Sequence, residues 1–219
     1  MSDTVGSPAR HRYAAVFLLV LALLIFVIIA PPADWSRSVA LLLEFAALVV
    51  SVATSRARSE VRRTRATAAA VIGALVVIAV AAGLVPTAAA LTLSGVLALA
   101  IPLSLVSGLV RLVGTGGATL QAVAGALAIY LLLGLTFTWI IGVVIHVDST
   151  PYFSGGTSGT ESERAYYSLA VLTTTGFGDL TAAHPVGRAL AVLEMVVGQL
   201  YLVTVIGVLV GNLAARRMT

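Results

Sequence analysis

The sequence predicts an all-α membrane protein with six membrane-spanning helices and one short re-entrant helix. Of the 219 residues, 59% are hydrophobic and only 10% are charged. A soluble domain carries about 25% charged residues, so this chain has too little polar surface for a water-soluble globule. A spanning helix needs about 20 predominantly apolar residues. No Asp, Glu, Lys or Arg occurs in the runs 13–33, 66–110, 112–147 and 195–215.

The six crossings follow from these runs in chain order. The first run ends at Pro31, because proline cannot continue a helical hydrogen-bond ladder. The second crossing has Glu44 as its only charge, and the run 66–110 is long enough for two crossings. A helix at about 161–173 is too short to span and is expected to re-enter the membrane. The crossings are predicted at about 13–33, 38–55, 67–84, 88–112, 119–146 and 186–214.

These helices divide the chain into two predicted domains. Residues 1–113 form a four-helix transmembrane domain. Residues 119–215 hold the last two crossings and the re-entrant helix, and a glycine-containing linker at 114–118 joins the two domains. Residues 216–219 form a cytoplasmic end.

The arginines predict the orientation. With a cytoplasmic N-terminus and six crossings, only Arg37, Arg164 and Arg188 of the 13 arginines lie outside. We therefore expect a multi-pass protein of the cytoplasmic (plasma) membrane with its N- and C-termini in the cytoplasm. One basic cluster indicates a contact with anionic membrane lipids. We expect no nucleic acid partner. The cluster consists of Arg56, Arg58, Arg62, Arg63 and Arg65.

The sequence gives no support for an enzyme. Cysteine is absent, which excludes disulfides, a thiolate metal site and a cysteine nucleophile. No group of nucleophile, base and acid is visible either. We expect no catalytic residues and no cofactor.

The segment 173–179, with the sequence TTTGFGD, follows the short helix. Thr160 and Glu163 predict a capping box that opens this helix. Non-helical backbone at membrane depth is tolerated only where it lines water or is buried in protein. Because Gly176 and Gly178 permit backbone conformations closed to other residues, successive carbonyls can point toward one axis. Four such segments would replace the hydration shell of a dehydrated cation with oxygen ligands.

This segment resembles the selectivity filter of tetrameric potassium channels, whose pattern is T-V-G-Y-G or T-x-G-F-G followed by Asp. The resemblance covers about 119–214. Tyr166 and Tyr167 occupy the positions where the family has two aromatic residues. Gly198 lies 20 residues after Gly178, where the family has its gating hinge glycine.

The resemblance implies a potassium-selective channel of the prokaryotic six-transmembrane, single-pore-loop type, with a voltage-gated-channel-like architecture. Potassium ions would bind the carbonyls of Thr174, Thr175, Gly176 and Phe177 and the Thr174 hydroxyl, and Gly178 would form the outer mouth. Since one chain supplies one filter strand, we expect a homotetramer. The residues expected to support the filter are Tyr166, Tyr167, Thr173, Asp179 and Glu194.

Three residues depart from the commonest family pattern. Thr175 replaces the commoner valine. Phe177 lacks the hydroxyl of the usual tyrosine and cannot hydrogen-bond to the pore helix, so Phe177→Tyr is expected to slow filter inactivation. Ala170 stands where some members have a glutamate that pairs with the aspartate after the filter. Asp179 therefore needs another partner or faces water.

The sixth helix carries three further candidates. We expect Glu194 to brace the filter through the hydroxyls of Tyr166 or Tyr167, the alternative being direct contact with ions. Leu202 and Ile206 are expected to line an apolar cavity below the filter, and such constrictions can gate by dewetting.

The first four helices resemble a voltage-sensor-like domain without its arginine-rich fourth helix. The predicted fourth helix has no arginine until Arg111, so steep voltage gating is not expected. Glu44 is either a functional group within the membrane or an acid that is hydrated or paired with Arg37. The gating stimulus stays open.

Three alternatives to a potassium channel remain at this point. The first is a weakly selective cation channel. The second is a subunit that resembles potassium-uptake transporters, although those carry four filter repeats in one chain. The third is a membrane scaffold with a non-conducting pore.

Overall fold

The computed structural model describes residues 12–54, 59–85, 87–116, 119–148 and 150–218. Within these ranges the regular structure is helical, with two isolated β-bridges that join Phe153 to Thr157 and to Ala182. The amino-terminal residues 1–11 and two members of the predicted lipid-binding cluster, Arg56 and Arg58, lie outside the described residues.

A helix is present at every predicted position. The fourth helix continues past Pro102 and runs to Gly116, so the first part of the predicted linker 114–118 is helical. The sixth predicted crossing consists of two α-helices joined by a π-helical turn. The elements are α1 (Arg12–Ile29), α2 (Asp34–Thr54), α3 (Ser59–Ala81), α4 (Thr87–Gly116), α5 (Leu120–Val147), α6 (Glu161–Leu172), α7 (Pro185–Leu200), the π turn (Tyr201–Ile206) and α8 (Gly207–Met218).

Three helical segments among the described residues are long and apolar enough to cross a membrane. They are Trp35–Val52, Leu120–Val147 and Pro185–Ala215. The apolar stretches of α1, α3 and α4 are shorter. In α3 the reason is local, because Glu60 and three arginines occupy its first two turns. The chain is a helical membrane protein, and six crossings stay a prediction.

The two predicted domains share one hydrophobic core. Its buried residues come from α1, α2, α4, α5 and α8, on both sides of the predicted boundary. A smaller cluster lies within each predicted domain: Leu41, Phe45, Val80 and Leu97 in the first, and Ile141, Tyr152, Phe153, Tyr167 and Ala182 in the second. Two polar bonds cross the same boundary: Thr136 Oγ1 donates to the Ala98 carbonyl at 3.0 Å, and Ser162 Oγ donates to the Ile28 carbonyl at 2.5 Å. The core consists of Tyr13, Val16, Val20, Ala47, Ile101, Leu105, Leu109, Ala122, Ala126, Ala128, Ile129, Leu132 and Leu209.

The carboxy-terminal helix leaves a long apolar face uncovered. Only 17% of the residues in Pro185–Ala215 are buried within the chain, against 50% in Leu120–Val147. Side chains in a single chain are exposed in this way when lipid or another copy of the protein covers them. The large exposed residues of this face are Val186, Val192, Leu193, Val196, Leu200, Val203, Val208 and Val210.

Candidate functional site

The first turn of α6 is fixed by the predicted capping box. The Thr160 amide donates to Glu163 Oε2 at 2.6 Å, and the Glu163 amide donates to Thr160 Oγ1 at 3.2 Å. The hydrogen bond from the Thr160 amide, and then that from its side chain, hold the pKa of Glu163 below its usual range. The capping box is confirmed, and it sets where the helix begins.

Segment 173–179 begins as α6 unwinds at its carboxyl end. The Thr174 amide donates to the Val171 carbonyl at 2.9 Å. The amides of Thr175 and Gly176 both donate to the Ala170 carbonyl, at 2.9 and 3.2 Å. These bonds to helix carbonyls anchor the segment at a defined position under the helix end.

The backbone of this segment alternates in handedness. Thr174, Gly176 and Gly178 have φ angles of +57°, +55° and +82°, whereas Thr175 and Phe177 have ordinary negative φ. Glycine takes the left-handed region without penalty. For a β-branched residue such as Thr174 it is a strained conformation, of the kind that clusters at functional sites. Thr174 is the only non-glycine residue with a positive φ in the described part of the chain.

The hydroxyls of Thr173 and Thr175 make hydrogen bonds within the segment and to α6. A valine at position 175 could not take part in them. Thr173 Oγ1 donates to the Leu169 carbonyl at 2.7 Å and lies 2.8 Å from Thr175 Oγ1. The hydroxyl of Thr175, where the commoner family residue is valine, is thus linked to the end of α6. All seven residues of 173–179 are exposed in the single chain.

Aromatic contacts hold the outer part of the segment against α6. The ring of Phe177 stacks on the ring of Tyr166, with centroids 6.1 Å apart and planes at 9°. Phe177 therefore contacts α6 through its ring, although it lacks a hydroxyl. Burial raises the pKa of Tyr166, and its hydrogen bond with Asp179 and the charge of that carboxylate raise it further. The Asp179 carboxylate therefore lies near Tyr166 and, being exposed in the single chain, also faces water.

Tyr167 lies on the other side of α6, in a separate aromatic cluster. Its ring makes edge contacts with Phe153 at 5.1 Å and with Tyr152 at 6.1 Å. Tyr167 is buried, as are Ile141 and Ala182, which pack in the same cluster. The two neighbouring tyrosines of α6 therefore differ: one contacts the segment 173–179 and the other contacts the loops around it.

Glu194 is buried behind α6, with 1% of its surface exposed. Ser168 Oγ lies 2.5 Å from Glu194 Oε1 and 2.7 Å from the Gly134 carbonyl, to which it donates. The expectation that Tyr166 or Tyr167 binds Glu194 is wrong, because those side chains point to either side of α6 and the serine lies between the helices. Glu194 thus joins α7 to α6 and α5.

Gly198 allows α7 to approach the end of α6. A Cβ atom at this position would lie 2.5 Å from the Leu172 carbonyl oxygen. The Tyr130 hydroxyl donates to the same carbonyl at 3.1 Å. The α-helix continues through Gly198 to Leu200, and the irregular π turn begins three residues after Gly198.

Two tyrosines that the sequence did not single out connect α5 with the π turn. The ring of Tyr130 stacks on that of Tyr201 at 6.1 Å, and the Tyr201 hydroxyl donates to the Ala126 carbonyl at 2.9 Å. Both lie in long apolar helices, where a phenolic hydroxyl needs a partner. A tyrosine hydroxyl in an otherwise apolar helix was therefore the sequence feature that could have indicated this contact.

The predicted cavity-lining residues lie on the π turn. Leu202 and Ile206 are both half-buried in the single chain, and Ile206 packs against the main core. Val203, between them, is exposed. Their assignment as lining residues stays a prediction.

The oxygen atoms of segment 173–179 are its available ligands. Among the described residues, no group of three or more His, Cys, Asp or Glu side chains could hold a metal ion. A cation at this segment would bind backbone carbonyls and threonine hydroxyls, which suit hard, weakly held ions.

Comparison with known protein families gives a match to part of the second half of the chain. Residues 125–214 match a family described as ion channels. The match spans 90 of the 219 residues and includes α6 and the segment 173–179. It supports passive ion conduction across a membrane, and ion channels are generally not enzymes. No curated protein and no solved structure matches the chain.

Proposed function

We propose that this protein is a potassium-selective channel whose filter is the segment 173–179. The observation that carries the proposal is the alternation of positive φ at Thr174, Gly176 and Gly178 within the ion-channel region. Such alternation lets consecutive peptide groups present their oxygens to the same side. A strand of this kind can replace the water around a dehydrated cation.

The ions bind oxygens along the strand. The carbonyls of Thr174, Thr175, Gly176 and Phe177, with the Thr174 hydroxyl, form the potassium sites, and Gly178 forms the outer mouth. Below them, the carboxyl end of α6 directs its negative dipole end toward the ions. Thr173 and Tyr166 contact this strand directly, through the Thr175 hydroxyl and the Phe177 ring. The other support residues act around it: Tyr167 packs against the adjoining loops, Asp179 lies beside Tyr166, and Glu194 joins α7 to Ser168 of α6.

The channel is a homotetramer in this proposal. One chain contributes one strand, and a closed ring of carbonyls needs four. The exposure of the whole segment 173–179 and of the apolar face of Pro185–Ala215 supports assembly, because both need cover. Gly198 and the adjoining π turn are where the inner helix changes shape on gating, and Leu202 and Ile206 lie along the conduction path.

The protein is placed in the plasma membrane with both termini cytoplasmic, as the arginine distribution predicts. Voltage does not gate it steeply, because α4 has no arginine before Arg111 near its end. Anionic lipids bind near the arginines at 56–65.

A planar-bilayer recording of the purified protein tests the proposal. With different mixtures of potassium and sodium on the two sides and equal total salt, the current should reverse near the potassium equilibrium potential. A reversal near 0 mV indicates a weakly selective cation channel, and the absence of current under all voltages indicates a scaffold. Either result overturns potassium selectivity.

Two glycine variants make the test specific to the segment. Gly176→Ala forces a side chain into a positive φ without any steric contact, since no atom lies within 4 Å of its Cβ. It should abolish selectivity or current. Gly155→Ala, a loop glycine with equally open surroundings and no positive φ, should conduct normally. Equal behaviour of the two variants would argue against the segment as the filter.

A further inference from the structure

A cavity of about 390 Å³ lies between the amino-terminal helices and the ion-channel region, away from segment 173–179. Its walls come from α1, α2, α4, α5 and the first turn of α6. Its volume is within the range of sites for small organic molecules. The charged groups that face it are Glu44, Glu161 and Arg164, together with His146.

Glu44 is the deepest of these groups and is incompletely bonded. Only 8% of its surface is exposed, and Ser94 Oγ donates to its Oε1 at 2.6 Å. Its Oε2 has no hydrogen-bond partner among the described residues. The hydrogen-bond partner that the structure shows for Glu44 is Ser94. A buried carboxyl oxygen without a hydrogen-bond partner is costly, so the atom indicates a missing partner in the cavity.

A second buried atom facing the cavity is also unpaired. Arg164 donates through Nη1 to the Gly159 carbonyl at 2.8 Å, but its Nε has no acceptor in the described part of the chain. An occupant would therefore meet one open acceptor and one open donor. Two carboxyl groups and one guanidinium face the cavity, so a basic occupant can pair with the carboxyl group that the guanidinium does not neutralise.

Much of the remaining wall is apolar, although Thr92, Ser94 and Thr138 also line the cavity. Val27, Leu135 and Val143 line it, and the Trp139 ring adds aromatic surface. A Cβ atom at Gly142 would meet no atom within 4 Å, so the cavity extends to the backbone of α5. Such a wall suits a hydrocarbon body better than a hydrated inorganic ion.

We propose that this cavity binds an organic ammonium group attached to a compact apolar body. The ammonium donates to Glu44 Oε2 and lies against the Trp139 ring, where cation–π attraction adds to the charge pair. The apolar body packs on Val27, Leu135 and Val143. A hydroxyl or bound water accepts from Arg164 Nε.

The cavity adjoins a second cavity and the short helix α6. A second cavity of about 220 Å³ shares Val27, Glu161 and Arg164 with it and reaches the turn between α1 and α2. This arrangement gives the ammonium a route past the first turn of α6. Glu161 and Arg164 belong to the same short helix that ends at segment 173–179, so an occupant contacts the element that supports the proposed filter.

The occupancy can be measured through a tryptophan in the wall. The chain has two tryptophans, so Trp35→Phe leaves Trp139 as the sole indole emitter. The full-length W35F protein, in detergent, is titrated with 2-phenylethylammonium and with its neutral counterpart, 2-phenylethanol. The ammonium should change Trp139 emission saturably, and the alcohol should bind far more weakly. The readout does not involve ion flux, so it can fail or succeed independently of the proposed potassium selectivity.

Three variants test the recognition. Glu44→Gln keeps the size and the bond to Ser94 but removes the charge, and should weaken ammonium binding by about 30-fold or more. Gly142→Leu fills the cavity from a position that tolerates a side chain, and should abolish binding even if Glu44→Gln folds poorly. Glu163→Gln keeps its helix cap and removes a nearby exposed carboxylate, and should bind as the parent does. Unchanged affinity in Glu44→Gln or Gly142→Leu, or equal binding of the alcohol, would overturn the proposal.

The same titration distinguishes two sources of the ammonium. In nanodiscs of phosphatidylethanolamine, competition with the added amine would identify the lipid head group as the occupant. Binding equal to that in phosphatidylcholine nanodiscs would identify a free amine. The absence of saturable binding in detergent and in both nanodiscs would overturn the site altogether.

Discussion

Replacement of Gly198 by alanine tests the contact between α7 and the end of α6. The added Cβ would lie 2.5 Å from the Leu172 carbonyl oxygen, and ordinary contacts begin at 3.4 Å. One of the two helices must therefore move by about 0.9 Å, the difference between these distances. The opposing atom is backbone and cannot rotate away. The same carbonyl accepts the hydrogen bond from Tyr130, which the displacement would weaken.

The expected cost follows from three contributions. Overpacking of a well-packed contact costs about 1–3 kcal/mol. Loss of the Tyr130 hydrogen bond adds about 1 kcal/mol. Alanine regains about 1 kcal/mol over glycine in a helix interior. The net destabilisation is about 1–3 kcal/mol, equivalent to a lowering of the melting temperature by about 2–12 °C for a chain of this size.

Thermal unfolding of the purified protein measures this effect, with Gly142→Ala as the matched control. Gly142 is also in a helix, but its Cβ would meet no atom within 4 Å, so its alanine variant should be as stable as the parent or more stable. Potassium flux into liposomes should fall in Gly198→Ala, because Leu172 directly precedes the segment 173–179. A hinge role alone predicts altered opening at an unchanged melting temperature. Equal melting temperatures of the two variants would refute the packing argument.

Three further predictions concern the same region. Glu194→Ala should destabilise the protein by about 2–4 kcal/mol through the cavity it leaves. Glu194→Gln keeps a side chain of the same size whose amide can hydrogen-bond Ser168, so it should cost about 1 kcal/mol or less, as thermal unfolding would show. Phe177→Tyr should slow the decay of potassium current during sustained voltage, because a hydroxyl adds a bond to a ring already stacked on its helix. The lowered pKa of Glu163 stabilises α6 above the usual pKa of a glutamate, and this contribution is lost as pH falls through the lowered value. Hydrogen exchange of α6 should therefore show loss of protection in acid for the parent but not for Glu163→Gln, whose amide caps at any pH.

Each of these predictions has an outcome that contradicts it. Equal melting temperatures of the two Glu194 variants would show that its bond to Ser168 and its volume contribute nothing. Identical current decay in Phe177→Tyr would separate the aromatic stack from inactivation. An acid-dependent loss of protection that persists in Glu163→Gln would assign it to another group.

Local rules were sufficient for α6 and for the segment after it. The spacing of Thr160 and Glu163 predicted the capping box, and the alternate glycines predicted a backbone with left-handed positions. Both depend on residues close in sequence, where side-chain and backbone preferences act directly. Thr174 goes further than these rules, because a β-branched residue adopts a positive φ only when surrounding contacts impose it.

Contacts between distant helices were not predictable in the same way. The partner of Glu194 is Ser168, 26 residues away, and the partner of Glu44 is Ser94, 50 residues away. The sequence marked both acids as unusual in apolar helices, but the rotation of each helix decides which hydroxyl it meets. The core that spans both predicted domains was not predicted for the same reason. An apolar run indicates that a helix is buried, but it does not indicate which helix it packs against.

The π turn has a consequence for the direction in which the inner helix presents its side chains. An α-helix turns by about 100° per residue, and a π turn accommodates one residue more than an α turn. Residues after Tyr201–Ile206 are therefore rotated by about 100° relative to an uninterrupted helix drawn from Gly198. Leu202 and Ile206 were predicted from the sequence to line one apolar cavity. In the structure Ile206 packs against the core and Val203 is 63% exposed. The π turn therefore determines in which direction the lower part of the inner helix presents its side chains.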